Sequence, residues 1–158
     1  MKRIVLVLLV LAGFCVNANA QFFATGTLGF NYRNDAFSMK VLPGAGYEFN
    51  DRWAVGAEIG VRYAAKTARG LINPYLRFNF WNNEKVFLDL KAASDIDFGK
   101  HYTNVFAGLK PSLRYAVNDQ LQLAVDMGAL GVDINDGEVS PALGLFINGV
   151  DLTLIYKF

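Results

Sequence analysis

Trp53-Ala54-Val55-Gly56-Ala57-Glu58-Ile59-Gly60-Val61-Arg62-Tyr63 is the stretch on which the fold of this chain turns. Every second residue is apolar: Trp53, Val55, Ala57, Ile59, Val61, Tyr63. The residues between them are Ala54, Gly56, Glu58, Gly60 and Arg62, a set of small and charged side chains. Period two puts these sets on opposite faces of an extended strand. The same alternation appears in Leu28-Phe30-Tyr32, Leu76-Phe78-Phe80, Val86-Leu88-Leu90-Ala92 and Leu121-Leu123-Val125-Met127. It returns in the last residues, Val150, Leu152, Leu154, Tyr156 and Phe158. No stretch holds a helical spacing for long, so the expected class is all-β.

The four prolines divide this pattern into a repeat. Val41-Leu42-Pro43-Gly44-Ala45-Gly46-Tyr47-Glu48-Phe49-Asn50-Asp51 aligns with Leu109-Lys110-Pro111-Ser112-Leu113-Arg114-Tyr115-Ala116-Val117-Asn118-Asp119, and Pro74 and Pro141 open similar alternating runs. Spacings of 31, 37 and 30 residues suit one hairpin and its connections per repeat. Proline costs fewest ladder bonds near the start of a strand, so strand starts are expected there. Each repeat then meets a polar turn: Asn50-Asp51-Arg52, Asn82-Asn83-Glu84 and Asn118-Asp119-Gln120. The alternate connections, near 33–37, 64–70, 94–103 and 133–140, are expected to be longer loops. Eight strands then fit the chain, with room for the roughly 9–11 residues that a membrane-crossing strand needs.

The beginning of the chain has a different texture. Met1-Lys2-Arg3, the apolar run Ile4 to Val16 and then Ala18-Asn19-Ala20 have the order of a secretory signal peptide. The run falls short of the roughly 20 residues of a spanning helix. Residues 1–20 are therefore expected to be a cleavable signal, and residues 21–158 one β-barrel domain. Cys15, the only cysteine, lies inside the signal behind Phe14, which disfavours lipidation and leaves the remaining chain without disulfides or thiolate metal ligands. Without Lys2 and Arg3, the 15 basic and 14 acidic residues become 13 against 14, a balance that excludes nucleic acid as an expected partner.

Alternation alone leaves two barrels open: a soluble lipocalin-like one, with its apolar set around a ligand, and one with its apolar set facing lipid. Glycines 29, 44, 46, 56, 60 and 128 on the polar set favour the second, because small residues beside long charged ones suit a crowded interior. Tyr32, Trp53, Tyr63, Phe80, Trp81, Tyr115 and Tyr156 near strand ends suit interfacial girdles. The polar set also carries Glu58, Arg62, Arg77, Asp89, Lys91, Arg114 and Asp126, which should pair as ions inside a narrow lumen.

The terminal strand Leu152, Leu154, Tyr156, Phe158 resembles the signal by which barrel-assembly machinery recognises its clients. Residues 40–60, with Pro43, Gly46-Tyr47, Asn50-Asp51 and Ala54-Val55-Gly56, resemble the small porin-like β-barrel family of Gram-negative envelopes. The resemblance implies an eight-stranded, antiparallel, up-and-down transmembrane barrel, related in shape to the OmpA and OmpX domains. It further implies residence in outer-membrane lipid and contact with periplasmic chaperones and assembly machinery during biogenesis. Asn148-Gly149 complicates the strand count, since it reads either as a hairpin making a ninth strand or as a bulge in a long last strand, the preferred reading.

Chemistry is sparse. His101 lies near Ser94, Asp95 and Asp97 in what reads as the longest loop, but no nucleophile motif or oxyanion-forming segment accompanies it. Asp95-Ile96-Asp97 lacks the rest of a calcium loop. The expected protein is a monomer without cofactor or enzyme activity, its polar lumen plugged by ion pairs. The alternatives are a narrow porin-like pore for ions or small solutes and, more remotely, a lipid-modifying enzyme.

Overall fold

The computed structural model describes residues 21–33, 36–64, 67–99, 103–135, 138–145 and 150–158. The expected signal, His101 and Asn148-Gly149 fall outside them. The described elements are all strands: β1 (Gln21–Arg33), β2 (Ala36–Glu48), β3 (Trp53–Ala64), β4 (Thr67–Asn83), β5 (Val86–Phe98), β6 (Thr103–Ala116), β7 (Leu121–Asp126), β8 (Gly128–Asn135), β9 (Glu138–Leu145) and β10 (Val150–Lys157). They form eight antiparallel staves, because β7 with β8 and β9 with β10 are the two halves of single staves. Each stave pairs with the next in the chain, and β10 returns to β1 through Phe23↔Lys157 to Phe30↔Val150. The result is a closed, up-and-down, eight-stranded barrel.

The interruption in β7–β8 is a bulge. Ser112 pairs with Asp126 and Leu109 with Leu130, so four residues advance on the bulged stave against three on β6. Gly128 absorbs the kink with φ 139°, a conformation open to glycine. It is thus a bulge residue, and it lines the lumen cavity. The last stave shows a larger mismatch. Leu145 pairs with Gly128 and Asp151 with Asp126, six residues of advance against two. Both halves nevertheless run antiparallel to β7–β8, whereas a hairpin would have reversed one of them. No ninth stave arises.

Two expectations about connections are corrected. The strands run almost to the tips at the end of the barrel away from Gln21 and Phe158, pairing through Arg33↔Ala36, Ala64↔Thr67, Phe98↔Thr103 and Asn135↔Glu138. The anticipated long loops are therefore mostly strand, and Ser94, Asp95 and Asp97 lie within β5. At the opposite end, Asn50 and Asn118 hold equivalent turns. The Asn50 Oδ1 accepts from the N–H groups of Arg52 and Trp53 at 2.9 Å each. Asn118 Oδ1 accepts from Gln120 and Leu121 at 2.9 and 2.7 Å. The third turn is displaced by the register: Asn83 pairs with Val86, so its tip is Glu84-Lys85, with Glu84 at φ 35°.

The prolines are also misread by strand-start logic, since all four sit inside strands. They are tolerated because the ladder toward the following stave is broken beside them. Pairing of β2 with β3 skips from Val41↔Val61 to Gly44↔Glu58 around Pro43. Pairing of β4 with β5 skips from Ile72↔Ile96 to Tyr75↔Ala93 around Pro74. Beside Pro111 the partner of β6 changes from β7 to β8. Pro141 pairs with Val132 on β8, and among the described residues β9 has no ladder on its other side.

The barrel separates charge completely. Trp53, Val55, Ile59, Val61, Leu76, Leu123, Leu152 and Leu154 are exposed, and Glu58, Arg77, Asp89, Lys91, Arg114 and Asp126 are buried. Among the described strand side chains, every Asp, Glu, Lys and Arg belongs to the inward set. The outward aromatic residues collect near the ends. At the terminal end Trp53 meets Phe78 at 4.6 Å and Phe22 meets Tyr47 at 4.9 Å, both tilted, and Tyr156 meets Phe158 edge-on at 5.3 Å. Phe30 and Phe37 approach to 6.4 Å at the far end.

Candidate functional site

The lumen has two zones, and the alternation of each strand determines which side chains enter them. The terminal zone is filled. Phe23, 1 % exposed, is packed with Ala54, Tyr75, Ala93, Ala124 and Ile155. The Arg77 guanidinium lies 5.2 Å from the centre of the Phe23 ring. Arg77 Nη2 donates to Glu48 Oε1 at 2.5 Å, and Lys157 Nζ donates to Glu48 Oε2 at 2.6 Å. Arg114 grips Asp89 with two donors, Nε to Oδ2 at 2.7 Å and Nη2 to Oδ1 at 3.2 Å. Its Nη1 donates to Gln122 at 2.7 Å, while Asn79 donates to the same Asp89 carboxylate at 2.8 Å. A forked guanidinium–carboxylate pair with its remaining acceptors satisfied is the arrangement in which a buried ion pair becomes rigid.

Between the zones, Glu58 accepts from the Thr27 hydroxyl at 2.7 Å, and Thr27 and Thr153 hydroxyls meet at 2.7 Å. Lys91 lies 2.6 Å from Asp126.

The far zone is hollow. A cavity of about 530 Å³ lies among β1, β2, β3, β5, β6, β7, β8, β9 and β10. Three ion pairs line it: Lys40–Asp151 at 2.6 Å, Lys110–Asp95 at 2.7 Å, and Arg62–Asp97. Asp133 also lines it, with no ion partner for its carboxylate among the described residues. Asp97 is 2 % exposed, and its Oδ1 has no hydrogen-bond partner; Asn104 Oδ1 is orphaned in the same way. The cavity wall also includes the apolar side chains of Phe30, Met39 and Leu143.

All seven charged residues singled out from the sequence lie on the inward set, but only two of their pairs are internal to that set: Arg114–Asp89 and Lys91–Asp126. Arg77 turns to Glu48, and Arg62 to Asp97. Glu58 has a hydroxyl partner and, among the described residues, no cation within ion-pair distance. The partners overlooked in sequence are Lys40, Glu48, Asp95, Asp97, Lys110, Asp151 and Lys157. Their parity was the available signal: Asp95 and Asp97 continue the row of Asp89 and Lys91, and Lys110 precedes Arg114 by four. Ser94 has the opposite parity to Asp95 and Asp97, so its side chain is not directed into the chamber. Among the described residues no group of three or more His, Cys, Asp or Glu side chains could hold a metal ion.

No family model matches the chain, and no curated protein matches it. Among solved structures, one from work on the de novo design of transmembrane β-barrels is similar at 13 % identity, with a TM-score of 0.47. The likeness covers 90 % of this chain and 98 % of the designed one.

Proposed function

We propose that the protein is a non-enzymatic, integral outer-membrane β-barrel with a structural or interaction role, its lumen sealed at the terminal end. The observation that carries this reading is the separation of charge across the barrel wall: ionic side chains inside, an uncharged apolar surface outside. A cation at the bilayer midplane costs about 2–4 kcal/mol on the lipid face of such a barrel. A soluble lipocalin-like barrel needs the reverse distribution. The Arg77–Glu48–Lys157 and Arg114–Asp89–Gln122 contacts, with Phe23, fill the terminal zone and favour a plug over a pore. In this reading Leu152, Leu154, Tyr156 and Phe158 present the assembly signal, residues 1–20 direct export, and the folded barrel is a monomer in outer-membrane lipid.

The test combines extraction from outer-membrane fractions, heat-modifiable gel migration and planar-bilayer recording. We expect a detergent-extracted, heat-modifiable species with no unitary conductance, and small conductance steps once Arg77→Ala and Arg114→Ala are combined. A water-soluble periplasmic product rejects the membrane assignment. Steady unitary conductance in the unaltered protein rejects the plug and leaves the narrow pore.

A further inference from the structure

The layer of lumen between the filled and hollow zones holds a carboxylate without a cation of its own. Glu58, 6 % exposed, enters from β3 and has no cation within ion-pair distance among the described residues. Lys91 on β5 acts on it from farther away, but Lys91 is held by Asp126 of β7 at 2.6 Å, and Asp126 acts on Glu58 with the opposite sign. Two carboxylates therefore face one ammonium in this layer. The other neighbours of Glu58 are uncharged: Thr25 and Thr27 on β1, Gly44 on β2, Asn73 and Tyr75 on β4 and Thr153 beyond Thr27 on β10. A buried carboxylate is costly unless it is paired as well as hydrogen-bonded.

The oxygen atoms around Glu58 are arranged to receive a positive charge. Thr27 Oγ1 donates its proton to Glu58 at 2.7 Å, so in the Thr27–Thr153 contact, also 2.7 Å, Thr153 donates and Thr27 accepts. Thr25, 7 % exposed, lies beside the same carboxylate, yet its Oγ1 has no partner in hydrogen-bonding geometry. On the other flank Asn73, the register partner of Glu58 and also 7 % exposed, has an orphaned Oδ1. Gly44, on β2 between Thr25 and Glu58, keeps their approach open: a Cβ there would lie 2.6 Å from Glu58 Cγ and 2.7 Å from Thr25 Oγ1. Buried polar atoms left without partners point to an ion or a water among them. The hollow zone gives access, since Gly29, Asp126 and Asp151 line its cavity, and Gly29 and Asp151 are the next inward positions after Thr27 and Thr153.

We infer that a single small monovalent cation, of the size of sodium, binds in this middle layer, held by the Glu58 carboxylate with the oxygen atoms of Thr25, Thr153 and Asn73. The all-oxygen set suits a hard cation. Charge sets the valence, because the layer lacks one positive charge and a divalent ion would overshoot it. Calcium also takes roughly six to eight oxygen ligands and magnesium keeps several waters, more than a crowded layer with one free carboxylate offers. The ion would tie β1, β3, β4 and β10 together across the lumen. The inference concerns the barrel interior and does not rest on the membrane reading.

The test is urea unfolding of the folded chain in zwitterionic detergent micelles at pH 8, with sodium chloride replacing choline chloride at constant ionic strength so that screening stays the same. A bound ion stabilises the folded chain in proportion to its occupancy, so we expect sodium to raise the folding equilibrium constant about tenfold once it reaches roughly ten times its dissociation constant. Glu58→Gln should abolish this dependence, and Thr25→Val, which keeps the shape and removes one oxygen, should weaken it. Identical curves in the two salts overturn the inference and leave a water molecule in the place of the ion. A sodium dependence that survives Glu58→Gln overturns it too, since the ion then binds elsewhere. If Glu58→Gln fails to fold, the comparison of salts on the unaltered protein and on Thr25→Val still decides: an unchanged sodium dependence in Thr25→Val rejects the site.

Discussion

The two halves of the lumen are built from the same alternation and similar residue types, yet one is solid and the other hollow. In the terminal half, Asp89 holds Arg114 and Asn79, Glu48 holds Arg77 and Lys157, and Phe23 fills the space that glycine leaves. In the far half, Lys40, Arg62 and Lys110 each hold one carboxylate, and the buried Phe106 ring lies at the cavity wall under Lys110. The lesson concerns connectivity. Charges that share partners lock a lumen shut, whereas charges in separate pairs leave space between them.

The largest expected effect attacks the shared network. Asp89→Asn removes the charge gripped by Arg114 and should destabilise the barrel by about 3–5 kcal/mol, the range for breaking one side of a buried pair. Urea unfolding in lipid vesicles measures it, and a loss under about 1 kcal/mol would show that the terminal network is solvated. Next comes packing. A methyl group added at Gly46 would meet the Phe23 ring and the Val55 carbonyl. Gly46→Ala should therefore cost about 1–3 kcal/mol, the usual penalty for overpacking a filled core. The same unfolding series reports it, and a neutral result would mean that Phe23 can swing aside. The smallest effect belongs to the hollow half. Asp133→Asn should leave stability within about 0.5 kcal/mol, because its carboxylate has no ion partner among the described residues to lose. A large loss there would erase the contrast between the halves.

Much of this architecture was legible. Period two in 53–63 assigned each side chain its face, and Asn50 and Asn118 announced turns that are equivalent hydrogen bond for hydrogen bond. What misled was polarity. Ser94-Asp95-Ile96-Asp97 looks like a loop because loops are polar, but the inside of a narrow barrel is polar too. Ala92, Ile96 and Phe98 kept the alternation going through it. The prolines misled for a related reason, since strand-start logic assumes a complete ladder on both sides, and here the ladder is open beside them. The pairing of Glu58 with Thr27 and not with a cation was beyond reach. Parity fixes the face a side chain occupies, and its neighbours depend on the stagger between staves.

The seam between β1 and β10 carries one more consequence, for the order of events in folding. Every other pairing in the ring joins staves adjacent in the chain, but Phe23↔Lys157 joins its two ends. Closing so long a chain segment costs more entropy than forming any hairpin, and nothing repays it until both partners exist. On loop-closure entropy alone this seam is the costliest pairing in the ring, and we expect it to form after the hairpins. At one end of that seam the Gln21 side chain donates to the Phe158 carbonyl at 2.5 Å.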